Sequence, residues 1–342
     1  MTTLTRHIKT RARQLGFDLV GVTQPDRSSD AAFYHDWLAQ GFHAEMAYLA
    51  RQDTIRKRAD PRLVFPAARS IVVVGMNYYP GEFPSVQGAR GRVSRYAWGV
   101  DYHDVMLTKL NQLGEWINGQ TEQRLTYRAY VDSGPLLERE LAKRAGLGWT
   151  GRNTSIIHPR MGSYFFLGEL LLSLELEPDL PFAGEHCGSC SACLDACPTQ
   201  ALVAPYTVDT RRCISYLTVE HRGAISEGLR ARIGDWVFGC DVCQEVCPWN
   251  RRFARRPQKP VLGPVRATLD LAGTLEIDPD GFREFFRETP LWRARRAGLL
   301  RNAAIVLGNL RDPASRSVLE RALSDPDPLV AEHAAWALSR LP

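Results

Sequence analysis

The chain has 342 residues, 44% of them hydrophobic, which is enough for the cores of two or three domains. Its net charge of +5 says little averaged over that length, and no apolar run approaches the roughly 18 residues that cross a bilayer. The N-terminal residues lack the apolar segment of a secretory signal, so a cytoplasmic protein without membrane attachment is expected.

The elements follow in chain order. Leu4, Ile8, Ala12 and Leu15 recur at helical spacing, with Gly16 as a stop, so 1–16 is a predicted helix. Residues 17–23 form a predicted strand, 28–41 a helix between a Ser/Asp start and a Gly stop, and 70–79 a buried β-branched strand. Met106, Leu110, Leu113 and Ile117 mark a helix with Asp101 as N-cap and Gly119 after its end. Residues 124–132 form a strand, and 135–148 a helix opened by Pro135 and closed by glycine. This alternation over about 175 residues predicts an α/β domain. It contains no G-x-G-x-x-G after a strand and no P-loop; Gly146, Gly148 and Gly151 follow a helix and read as a turn.

Near the C-terminus Leu299, Ala303, Val306 and Leu310 mark one helical face. Val330, Ala334, Ala337 and Leu341 mark another, each 31 residues later. That period predicts stacked helical hairpins of the HEAT type.

All eight cysteines lie between Cys187 and Cys247. Cys187, Cys190, Cys193 and Cys197-Pro198 form the C-x2-C-x2-C-x3-C-P run of bacterial ferredoxins. Cys240, Cys243 and Cys247-Pro248 repeat its second half, with Cys213 upstream. Tight x2 gaps put three sulfurs around one cubane, and the cysteine before proline serves the other. Cys187, Cys190, Cys193 and Cys247 are thus expected on one 4Fe–4S cluster, and Cys197, Cys213, Cys240 and Cys243 on the second. Zinc knuckles pair two C-x2-C units a dozen or more residues apart, which this run fits poorly. Cys213 and Cys240 stand 27 residues apart, so the module is built into a larger protein. Two clusters form a wire that must deliver electrons elsewhere, and the α/β domain is the expected recipient.

Three further segments carry a resemblance: Arg95–His103 (RYAWGVDYH), Tyr130–Pro135 (YVDSGP) and Ala145–Asn153 (AGLGWTGRN). With both cysteine motifs and the terminal repeat in order, the chain resembles the epoxyqueuosine reductases over nearly its whole length. The resemblance implies a multidomain fold, part α/β and part α+β, in three pieces. Residues 1–177 would form an α/β cobalamin-binding catalytic domain, 178–255 a ferredoxin-like module with two 4Fe–4S clusters, and 256–342 a HEAT-like repeat that contacts tRNA. It implies reduction of epoxyqueuosine to queuosine at the wobble base, with electrons passing through the clusters to cobalamin. An external donor such as flavodoxin or ferredoxin would supply them.

In that family's pattern Asp132 is the proton donor. From the residues alone an Asp between strand and helix reads as an N-cap or Asx turn. The catalytic role requires a carboxyl kept protonated, as burial against an apolar corrin face would do. Arg58, Tyr96, His103 and Ser155 are the other expected pocket residues. Asp101-Tyr102-His103 is similar to the start of a cobalt-ligating D-x-H-x-x-G, but Met106 replaces the Gly, so His103 is expected to line the pocket rather than ligate cobalt.

Between Arg251 and Arg301 there are twelve Lys/Arg against six Asp/Glu, which favours RNA phosphates. Among them are Arg251, Arg252, Arg255, Arg256, Lys259, Arg283, Arg287, Arg293, Arg295, Arg296 and Arg301. Phe282, Phe285, Phe286 and Trp292, interleaved with them, are expected in the core. Two rival readings remain at this level: a reductive dehalogenase-like cobalamin enzyme and a non-catalytic ferredoxin-type carrier.

Overall fold

The computed structural model describes residues 3–85, 88–122, 124–257, 263 and 265–342. Four strands form the main sheet in the order Leu19–Thr23, Ser70–Asn77, Phe165–Leu172, Tyr127–Tyr130. All three pairings are antiparallel, a direction that alternation of elements does not set. The two central strands are mostly apolar, with Glu169 the charged exception, because both faces are covered. On one face Ile8 and Ala12 of Thr3–Gln14 and Met106, Leu110, Leu113 and Ile117 of Tyr102–Asn118 pack on Val72, Val74, Leu170 and Leu172. On the other, Leu136, Leu141 and Ala142 pack on Ile71, Val73 and Leu171.

Tyr102–Asn118 begins as expected: Asp101 is its N-cap and accepts the His103 N–H at 3.0 Å. The next helix does not begin at Pro135. It covers Glu138–Arg144 with Leu137 as N-cap, so Asp132–Leu137 is a loop rather than a helix start. Gly146, at φ +77°, supplies the left-handed stop that glycine adopts without strain.

A second sheet joins the parts of the chain. Arg90–Val93 lies between Trp236–Phe238, to which it runs parallel, and Thr268–Asp270, to which it is antiparallel. Val93, Trp98, Val237 and Phe238 therefore share one core with Leu299, Ala303, Val306, Val330, Ala334 and Ala337 of the helices Arg295–Leu310 and Pro328–Arg340. Leu310 is instead exposed, as the last residue of its helix.

Arg301 sits wholly buried in this core. It donates to the carbonyls of Leu217 at 2.6 Å, Gly223 at 2.7 Å and His221 at 3.0 Å. Arg301 therefore latches the repeat to the cysteine module and does not face phosphates. Arg301→Met should leave those carbonyls unpaired at about 1–3 kcal/mol each. The urea midpoint of the folded chain should drop accordingly, and an unchanged midpoint would contradict the latch.

Candidate active site

The cysteines sit at loop ends where peptide N–H groups point at sulfur. Cys213 is the N-cap of Ile214–Val219, and Cys247 that of Pro248–Phe253, with Pro248 in the first turn where no N–H is needed. The N–H groups of Ser215 and Tyr216 favour the charged form of Cys213, and those of Trp249 and Asn250 that of Cys247. The Ala201 N–H reaches Cys197 Sγ at 3.2 Å. Such bonds stabilise thiolates and tune a bound cluster.

None of the eight cysteines is in a disulfide. Cys193 faces Cys187 and Cys247, and Cys247 also faces Cys187 and Cys190. Cys213 faces Cys197, while Cys240 faces Cys243 and Cys213, and Cys243 faces Cys213 and Cys197. One electrostatic influence, of Cys193 on Cys243, crosses between the groups. Burial, then neighbouring thiols, pushes Cys193 up to about 11, and burial raises Cys240 and Cys243 further. Thiols packed this way ionise only against cationic partners, which the irons of a cubane supply.

Asp132 stands at the end of Tyr127–Tyr130 with φ +58°. This left-handed backbone is one that Asp tolerates better than most residues. The turn aims its carboxylate at three side chains from distant parts of the chain. Tyr102 Oη donates to Asp132 Oδ2 at 3.1 Å, while His103 Nε2 and Arg293 Nη1 each lie 3.5 Å from that oxygen. Tyr102 is fixed by stacking on Phe166, with ring centroids 3.9 Å apart. Burial by itself raises the Asp132 carboxyl, but His103, Arg293 and Tyr102 together pull it down to about 2. The side chain is also half exposed. Among the protein's own groups, the partners of Asp132 outweigh desolvation.

His103 bridges two partners. Its Nδ1 is 2.5 Å from Asp101 Oδ1, and Arg293 Nη2 donates to Nε2 at 2.6 Å. An imidazole that accepts from guanidinium carries its proton on Nδ1, toward Asp101, as assigned from this network. Both ring nitrogens thus have partners within the protein.

Tyr96 packs edge-on to Tyr102, with ring centroids 6.4 Å apart, and is raised by burial while facing the charges of Arg293 and Asp132. Arg58 lies over the Tyr34 ring at 5.3 Å, and its buried Nε has no partner. Its charge reaches Tyr48, Glu138 and Arg139. Ser155 is placed differently. It belongs to the turn before Ile156–Ile157, where its carbonyl accepts the Gly151 N–H at 2.7 Å. The same turn sends Asn153 Nδ2 to the Cys243 carbonyl at 3.3 Å and receives Arg139 Nη1 on Thr154 Oγ1 at 3.1 Å. Arg139 faces both Asp132 and Cys243, so one thiol group borders the acid site.

Sequence reasoning missed Tyr102, Arg139 and Glu138 as site residues and placed Arg293 among the phosphate contacts. Arg293 joins a site 161 residues upstream, a contact no local signal carries. Arg293 also opens into a groove of about 560 Å³, lined with Glu220, Arg222, Phe282, Trp292, Arg295 and Arg296. Arg295 is exposed there, at φ +58°. Arg296 is paired with Asp325 at 2.6 Å and donates to the Ile277 carbonyl, which ties it to the repeat. Arg283 pairs with Asp280 at 3.2 Å, while Arg251 and Arg255 bond nearby carbonyls. Phe282 and Phe286 are core residues, but Phe285 and Trp292 are exposed, contrary to expectation. Lys259 lies outside the described residues.

A module of two thiol groups bordering an acid site in an α+β domain defines an iron–sulfur oxidoreductase. Family models bear this out in three parts: residues 58–133 match epoxyqueuosine reductase QueG, 186–250 a 4Fe–4S double cluster binding domain, and 292–342 HEAT repeats. The chain is 44% identical to the epoxyqueuosine reductase of Pseudomonas aeruginosa, over 98% of this chain and 94% of that one. It is 41% identical to that of Escherichia coli, over 98% and 89%. Its fold matches a crystal structure of epoxyqueuosine reductase with an epoxyqueuosine-modified tRNA-Tyr stem loop at TM-score 0.89 and 32% identity, covering 98% of this chain and 90% of that one. The chain belongs to the epoxyqueuosine reductase family. No helix among the described residues is long and apolar enough to cross a membrane.

Proposed function

We propose that the chain reduces epoxyqueuosine to queuosine at the wobble position of tRNA, with Asp132 as the proton donor. The observation that carries this reading is the meeting of Tyr102, His103 and Arg293 on the Asp132 carboxylate, with Arg139 under the charges of both Asp132 and Cys243. The reaction consumes two electrons and two protons. Both epoxide C–O bonds break, a C=C bond forms, and the oxygen leaves as water.

Cys187, Cys190, Cys193 and Cys247 hold one 4Fe–4S cluster, and Cys197, Cys213, Cys240 and Cys243 the other. They carry single electrons from an external donor of the flavodoxin or ferredoxin class. Cobalamin, when bound, supplies a strongly reducing, nucleophilic cobalt. Arg58, Tyr96, His103, Asp132 and Ser155, joined by Tyr48 and Arg139, would hold it. The fit rests on the unpartnered buried Arg58 Nε, the half-exposed Tyr48 and the half-exposed Asp132 carboxylate, which together leave polar and apolar surface for a large amide-bearing ring.

The chain's own residues do the acid work. Tyr102 and His103 orient the Asp132 carboxyl, and Arg293 ties its orientation to the groove. A carboxyl held near 2 is a poor donor at neutral pH. Covering its exposed face adds desolvation, which favours the protonated form. With that face covered, Asp132 would pass from an ion-paired carboxylate to an acid that protonates the opening oxygen. Excluding water from the same face keeps the proton for the epoxide. Titrating cobalamin into the cluster-loaded chain should give saturable one-to-one binding by corrin absorbance. Absence of saturation would contradict the pocket.

The substrate arm lies in the Arg293–Arg295 groove. Phosphate contacts release counterions, so tRNA affinity should fall steeply with salt. Arg295→Glu should weaken binding of a modified stem loop and flatten the slope of log affinity against log salt by about one unit. Arg296→Glu serves as a contrast, since it breaks the Asp325 pair and acts through folding. An Arg295→Glu protein with wild-type affinity and slope would place the RNA on another face.

A further inference from the structure

Two carboxyls behind the Asp132 loop have no part in the reaction so far. Glu169 comes from the central strand Phe165–Leu172, is wholly buried, and receives no hydrogen bond from an N–H or hydroxyl group; the carboxyl of Glu138 is its hydrogen-bonding neighbour. By strand alternation it points to the Leu171 face, where Leu136, Leu141, Ile71 and Val73 pack. An ionised carboxylate there is costly, so Glu169 keeps its proton. Facing it is Glu138, the first residue of Glu138–Arg144. Glu138 Oε1 accepts the Asp132 N–H at 2.6 Å.

We propose that Glu138 and Glu169 share one proton, and that this carboxyl pair positions the catalytic loop by holding Asp132 in its left-handed turn toward Tyr102, His103 and Arg293. The proposal rests on the reading of Asp132 as the proton donor. A non-glycine residue at φ +58° is held only where its surroundings over-determine it. The Glu138 bond is the one side-chain contact recorded at the Asp132 backbone N–H.

Rising pH releases the pair. With one shared proton the two groups carry a single charge, and Glu138 stays on the Asp132 N–H. Removing that proton sets two carboxylates side by side, and they repel. Glu138 also faces Asp132, which adds to the repulsion, and Arg58, which opposes it. Asp132 faces Glu169 as well, and Arg139 lies beside Glu138. Burial and the Asp132 charge push Glu138 up to about 7, so the loop loses its anchor on the alkaline side of neutrality.

The test uses the cluster- and cobalamin-loaded enzyme with modified tRNA, comparing wild type, Asp132→Asn, Glu138→Ala, Glu138→Gln and Glu169→Gln. Glu138→Ala should lower kcat by about 10²-fold with KM unchanged, the cost of a misplaced acid. Glu138→Gln, whose amide oxygen still accepts the N–H, should recover most of that loss. Glu169→Gln donates to Glu138 at every pH. It should match wild type on the acid side and lose the alkaline fall in kcat. A second readout needs no cofactor: infrared difference spectra between about pH 6 and pH 8 should show a protonated-carboxyl band in wild type that Glu169→Gln lacks. Wild-type kcat in Glu138→Ala, or an unchanged pH profile and infrared band in Glu169→Gln, would overturn the carboxyl pair. If those results came with a slow Asp132→Asn, the acid would stand and the pair alone would fall. Full activity in Asp132→Asn would remove the acid and, with it, the role of the pair.

Discussion

Asp132→Asn is expected to fold, to keep both clusters and to bind cobalamin and tRNA, while epoxide reduction slows by about 10²–10⁴-fold, the usual worth of a general acid. The amide has the shape of the carboxyl and still accepts from Tyr102, whose hydroxyl reaches Asp132 Oδ2 at 3.1 Å. What it lacks is the acidic proton. Single-turnover assays that follow queuosine by nucleoside mass spectrometry separate this loss from binding. The loss should appear in kcat with KM little changed, since the groove arginines are untouched. Full turnover would mean that Asp132 only holds its loop.

Cys243→Ala should have an effect as large by another route. Anaerobic reconstitution of the wild-type chain should give about eight iron, the sum of two cubanes. The variant should bind about four fewer and should not turn over. Its cluster is the one bordering the acid site, through Arg139 and the Asn153 bond to the Cys243 carbonyl. Cys193→Ala should remove the other cluster and also stop turnover, because the wire is then cut at its outer end. Both variants should lose stability, since the ligands belong to the core of the module. Zinc in place of iron, with no visible cluster absorbance, would contradict the assignment.

The cysteine module was legible because its chemistry is local. Three sulfurs around one cubane fix x2 gaps, and the proline after the fourth cysteine fixes a helix start, which Pro248 now occupies. The 31-residue period of the terminal helices was legible for a similar reason, as each repeat presents one stripe to the next. The acid site was not legible from the residues alone. Asp132 read as a helix cap, but the helix starts at Glu138 with Leu137 as its N-cap. What singles out Asp132 is its left-handed turn and its meeting with Tyr102, His103 and Arg293, and no window on the sequence brings these together.

The arginines carry the opposite lesson. Composition placed Arg296 and Arg301 on phosphates. Yet Arg301 lies within a helix whose Leu299, Leu300, Ala303, Ala304, Ile305 and Val306 are apolar on every side. Such a helix is enclosed, so a charge in its middle must find carbonyls or a counter-ion. That signal was present in the sequence and outweighs the charge count. Arg293 could not be assigned this way, because its partner Asp132 is distant in the chain.

The most direct test of the account is one anaerobic reaction: the chain carrying clusters and cobalamin, a low-potential reductant and an epoxyqueuosine-modified stem loop, with the nucleosides then analysed by mass spectrometry. The account predicts conversion to queuosine with loss of one oxygen, dependent on both clusters and on cobalamin, and strongly reduced in Asp132→Asn. Conversion that proceeds without cobalamin, or an epoxide left intact by the fully loaded wild-type chain, would contradict it.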